Sequence, residues 1–150
     1  MRVHLRVRTA GPRPDFRLVV AFLWSEMHNV DSEGDSYNPA SRDWTELYLK
    51  NREVPSEVVD IHPLQTAPLI IAIESESESL AARIAYFLAR ETNGQVAGQD
   101  GEYGAYEGLR TLLGARFDVE AAIRRADISI WRRATLENPY PNLPGAGGPG

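Results

Sequence analysis

Apolar and polar residues alternate most strictly at the start of the chain. Val3, Leu5 and Val7 alternate with Arg2, His4, Arg6 and Arg8, the period of two expected of a half-buried strand. Gly11-Pro12-Arg13-Pro14 interrupts the pattern. The continuous apolar run within residues 17–24 predicts a second strand, buried on both faces and therefore central, with a loose hairpin joining it to the first. Alternation returns over residues 44–52, with Trp44, Glu46, Tyr48 and Lys50 on one face and Thr45, Leu47 and Leu49 on the other. Residues 58–62, between Pro55 and Pro63, and the apolar run 69–74 predict two further strands.

The second half of the chain changes period. Leu80, Ile84, Phe87 and Leu88, with alanines between, form a stripe at three-to-four-residue spacing, which predicts a helix. Ser75 and Glu78 have capping-box spacing at its start. Asn93-Gly94 closes it, with Gly94 suited to a left-handed residue. Residues 95–97 read as a brief strand and 105–113 as a helix stopped by Gly114. Asp118 caps a last helix through Val119, Ala122, Ile123 and Ala126 toward Trp131. Strands first and helices after predict an α+β fold: a mainly antiparallel sheet of five to six strands with two to three helices packed on one face. Residues 1–143 are expected to form one domain, and the Gly/Pro-rich residues 144–150 a disordered tail.

Two stretches fall outside these periods. Residues 25–43 and 98–107 read as polar loops in which acids are mixed with aromatic rings. The first holds Glu26, Asp31, Glu33, Asp35 and Tyr37 and ends at Trp44; the second holds Asp100, Glu102, Tyr103 and Tyr106. A connection as long as the first is uncommon in a compact domain unless it has a function of its own.

Composition narrows the chemistry. The chain of 150 residues carries a net charge of −5 and no cysteine. Thiolate nucleophiles, disulfides and Cys-based zinc sites are thereby excluded. The negative charge disfavours nucleic acid and favours a basic partner. The longest apolar stretch, residues 18–24, is far short of a membrane span, and the alternating N-terminus does not resemble a signal peptide. The expected location is therefore cytoplasmic. Lys50 is the only lysine in an arginine-, alanine- and glycine-rich chain, which suits a GC-rich bacterial genome.

Catalytic motifs are sparse. No G-x-S-x-G elbow or phosphate-binding glycine loop occurs. A calcium loop starting at Asp31 would need glycine at its sixth and glutamate at its twelfth position, where this chain has Ser36 and Arg42. Two pairs, Glu26 with His28 and Asp60 with His62, have the i, i+2 spacing that puts both side chains on one face of a strand. They are the residues from which a mixed His/carboxylate acid–base or metal site could be built. The run Ser75-Glu76-Ser77-Glu78-Ser79 is what a helix start requires, since it satisfies unpaired N–H groups at the positive end of the dipole.

Residues 69–96, a strand, a Ser/Glu-rich cap, an alanine-rich helix and Thr92-Asn93-Gly94-Gln95-Val96, resemble a unit of the small α+β immunity proteins of bacterial polymorphic-toxin systems. The resemblance implies a catalytically inert, acidic binder and transfers no site residues. The leading expectation is a non-catalytic module, monomeric or homodimeric, without cofactor or metal. It would cover the active site of a basic protein partner, such as a cognate toxin, with Asp31, Glu33, Asp35, Tyr37, Trp44, Asp100, Glu102, Tyr103 and Tyr106. The alternative is a small enzyme using the two His/carboxylate pairs.

Overall fold

A computed structural model describes residues 2–98 and 101–141; Asp100 and the tail 144–150 lie outside these residues. Six strands form one sheet in the order β2-β3-β4-β5-β1-β6, and every neighbouring pair is antiparallel. The strands are β1 (Val3–Arg8), β2 (Val30–Gly34), β3 (Leu47–Asn51), β4 (Val58–Thr66), β5 (Leu69–Ser75) and β6 (Gln95–Gly98). Three α-helices accompany them: α1 (Phe16–Leu23), α2 (Glu78–Thr92) and α3 (Val119–Asp127). Short 3₁₀ segments occupy Asp35–Tyr37, Tyr106–Leu112 and Ile130–Arg133. The architecture is the α+β sheet-and-helix layer that the alternating patterns imply.

Cross-strand register explains which residues face inward. Leu5, Ile73, Ile61 and Leu47 lie side by side across β1, β5, β4 and β3, and Val7 pairs with Ile71 and Val96. All are buried. Against this face packs α2, whose Leu80, Ile84, Phe87 and Leu88 are fully buried. Next to α2 lies α1, with the rings of Phe22 and Phe87 4.6 Å apart. Each buried aliphatic or aromatic side chain contributes about 1.5–3 kcal/mol. The opposite face of the sheet carries the polar residues of the same strands.

Several expectations need correction. Residues 17–23 lie in α1 rather than in a strand, with Trp24 as its C-cap, and no hairpin joins them to β1, whose neighbours are β5 and β6. A short apolar run is compatible with a helix buried all round as well as with a central strand, and every residue of α1 is buried. Asp15 decides between the two: its carboxylate accepts the Arg17 N–H at 2.9 Å as an N-cap. It also accepts from the Arg17 guanidinium at 2.6 Å, so the one charge within α1 enters the interior already paired. Residues 25–43 are not one loop, because they contain β2 and the 3₁₀ turn.

Smaller corrections concern ends. Ser77, not Ser75, caps α2, accepting from Leu80 N–H at 3.2 Å, because β5 runs on to Ser75, whose hydroxyl donates to the Val58 carbonyl at 2.7 Å. Asn93 takes the left-handed position at φ 56°. Gly94 is needed for closeness instead: a Cβ there would sit 2.4 Å from the Arg8 carbonyl oxygen. The β4 strand continues through Pro63 to Thr66 by way of an irregularity in register between Pro63 and Gln65. Residues 106–112 wind as 3₁₀ rather than α, and α3 stops at Asp127 before Trp131.

Candidate functional site

The two acidic, aromatic stretches end up at opposite edges of the sheet. The first supplies β2 at one edge, and the second follows β6 at the other. Five steps of roughly 4.8 Å separate the outer strands, or roughly 24 Å. The eight expected contact residues that the structure describes are therefore divided between the two edges.

At the β6 edge the rings turn inward. Val96 and Gly104 exchange two backbone hydrogen bonds, each 2.9 Å, so the chain folds back over its own edge strand. The Arg8 guanidinium lies 4.3 Å from the centre of the Tyr103 ring. Tyr106 meets Tyr86 edge to face at 5.0 Å. The Tyr86 hydroxyl donates to Glu107 and accepts from Arg110, both at 3.1 Å. Burial, and then the hydrogen bond to Glu107, push the Tyr86 hydroxyl above its ordinary pKa. The Arg110 guanidinium holds the Glu107 carboxyl below the usual carboxylate range. Glu102 is exposed. Tyr103 and Tyr106 are thus half-buried and packed against their own domain, less open than their expected place on a contact surface implies.

At the β2 edge the arrangement is reversed. Tyr37, in the 3₁₀ turn after β2, is 82% exposed, and Met27, just before β2, is 63% exposed. Glu33 is exposed, and Asp31 pairs with Arg52 at 2.6 Å. Asp35 is consumed by structure: its carboxylate accepts from the N–H groups of Thr45 and Glu46 at 2.9 and 3.2 Å, closing the turn between β2 and β3. Trp44 is only 3% exposed and its indole N–H donates to the Pro14 carbonyl at 2.7 Å. Trp44 is therefore a core residue rather than a contact residue. Strand β3 begins only at Leu47, so the alternation that would place Trp44 on the face of Tyr48 does not extend to it.

The His/carboxylate pairs part company. His28 stacks on Trp24 and bonds the Asn51 side chain at 2.8 Å, and Asn51 lies on the helix-covered face with Leu47 and Leu49. Glu26 accepts from the Ile130 N–H at 3.1 Å. Asp60 and His62 lie on the open face instead, so the sheet separates the two pairs. What Asp60 and His62 do meet is set by strand order. Glu33, Tyr48, Asp60, Glu74 and His4 follow one another across five strands. His4 Nδ1 approaches Glu74 at 3.1 Å and His62 Nδ1 at 3.9 Å, while Arg2 takes Asp60 at 3.1 Å. This is a ladder of cross-strand pairs. Among the described residues no cluster of three or more His, Asp or Glu is arranged to hold a metal ion, and no helix is long and apolar enough to cross a membrane. Comparison with protein-family models, curated proteins and solved structures finds no match.

Proposed function

We propose that the chain is a non-catalytic protein-binding module whose partner presents a basic surface, acting as an immunity protein does when it covers a toxin's active site. The observation that supports this best is the β2 edge. There Tyr37 and Met27, residue types enriched at the centres of protein interfaces, stand exposed on the same stretch of chain as the exposed Glu33. Residues 25–41 contain Glu26, Asp31, Glu33 and Asp35 and neither lysine nor arginine. Of these Glu33 is the exposed one, and a carboxylate so placed steers a basic partner.

The test is capture of a partner from lysate of the source organism, with salt elution and mass spectrometry. A basic protein retained at low salt and released at high salt is expected. Its retention should fall with Glu33→Lys or Tyr37→Ala, by about 2 kcal/mol or more if Tyr37 is a hot spot, and survive Glu102→Lys at the opposite edge. A partner that ignores the first two changes and responds to the third overturns the assignment of surface.

A further inference from the structure

The hydrogen-bond pattern of β2 says which of its backbone groups are spoken for. Asn29 and Arg52 form one bonded pair with β3, and Asp35 and Glu46 another, since Arg52 N–H donates to the Asn29 carbonyl at 3.2 Å and Asp35 N–H to Glu46 at 2.9 Å. Bonded and non-bonded residues alternate along an antiparallel pair. Asp31 and Glu33 therefore turn their backbone groups toward β3, and Val30, Ser32 and Gly34 turn theirs away from it, at the free edge of the sheet. Unlike β6, which Gly104 bridges, β2 has no backbone neighbour beyond it among the described residues.

Beneath this edge, on the helix-covered side, lies a cavity of about 200 Å³ lined by Phe16, Val20, Met27, Val30, Ser32 and Trp131. Three polar side chains also reach it: Arg17 pairs with Asp15 but leaves its Nη1 without a hydrogen bond, Glu26 accepts the Ile130 N–H, and His28 bonds the Asn51 side chain. The cavity is a mainly apolar slot where the next strand of the sheet would place one inward side chain.

We infer that β2 accepts an extended segment of a basic partner as a seventh strand, with one apolar side chain in the slot and lysine or arginine on either side of it. The pattern follows from register. A residue paired with Ser32 points into the slot, because side chains of paired residues share a face. Its two neighbours point to the open face, beside Asp31 and Glu33. Arg52 already takes Asp31, so Glu33 is the acid that selects the base. A second copy of this chain fits poorly: β2 paired antiparallel with itself about Ser32 sets Asp31 opposite Glu33 twice, and like charges directly opposite are destabilising. The inference rests on the binding reading above and adds its mode, main-chain strand addition.

The experiment is amide NMR titration of the full chain with the peptide acetyl-TKVKLKT-amide, beside a scrambled acetyl-KKKVLTT-amide and a copy of the first N-methylated at leucine. The expected result is hydrogen-exchange protection at Val30, Ser32 and Gly34 by the alternating peptide only. Glu33→Lys should weaken it by about tenfold, the loss of a favourable pair and the gain of a repulsive one. Ser32→Pro should abolish it while keeping the β3 ladder, since the N–H it removes points outward and edge strands tolerate proline there. Equal binding of the scrambled and N-methylated peptides, with shifts at Tyr37 but none at the β2 amides, overturns strand addition and leaves the acidic-surface reading standing. No binding of any lysine peptide overturns both. Protection of the β2 amides without peptide, in a protein that sediments as a dimer, overturns the basic segment in favour of a second copy.

Discussion

The stretches flanking the sheet, residues 25–43 and 101–107, are alike in composition and opposite in use. Both mix carboxylates with tyrosine, yet Tyr103 and Tyr106 close over Arg8 and Tyr86, whereas Tyr37 stands in solvent. The difference lies in what each edge already has. At β6 the chain returns to pair with Val96, and its rings find arginine and tyrosine to lie on. At β2 the chain turns back through Asp35 into β3, and its ring finds nothing. Composition marks where a chain is not periodic; the backbone partner decides whether that stretch seals an edge or offers one.

The comparison can be broken hardest at Trp44, which borders the acidic stretch but belongs to the core. Trp44→Ala should cost about 3–5 kcal/mol in denaturant unfolding. A loss under about 0.5 kcal/mol, the range of ordinary surface substitutions, would return it to the contact surface. A smaller effect is expected at the closed edge. Tyr86→Phe removes the hydroxyl between Glu107 and Arg110 and should cost about 1 kcal/mol at neutral pH. Because this hydroxyl titrates above its ordinary value when folded, its contribution is complete below the unfolded tyrosine pKa of about 10. It is lost as pH rises through the folded value. The gap between wild type and Tyr86→Phe should therefore shrink in alkali, as thermal unfolding across pH 8–11 would show. The smallest effect is at the open edge: Tyr37→Ala should alter stability by less than about 0.5 kcal/mol, and a larger loss would mean that this ring, too, is packing.

Sequence reading went furthest where one face of an element is wet. The polar residues between Val3, Leu5 and Val7 reveal β1, and the stripe of α2 reveals a helix with one dry side. It went astray where no face is wet. In α1 every residue is buried, so periodicity vanishes, and Asp15 directly before the apolar run was the available cue. The β2 strand was hidden for the converse reason, since Asp31, Ser32, Glu33 and Gly34 are poor strand formers held by pairing with β3. The edges of the sheet were half legible. Acids and aromatic rings identified both edges, but the burial of Trp44 and the half-burial of Tyr106 come from partners distant in sequence. The His4–Glu74–His62 ladder exists only through strand order.

That strand order also sets a timetable. Strand β1 lies between β5 and β6, so it has no sheet partner until Leu69 and its successors have been made. At about 5–20 residues per second, β1 waits several seconds as a solvated ribbon during synthesis, while α1, β2, β3 and β4 emerge and can condense around one another. Its insertion joins both halves of the sheet through contacts far apart in sequence, the kind that slow folding. The arginines alternating along β1 give it a charged flank during that interval, when an uncharged strand would be most exposed to pairing with its neighbours in the cell.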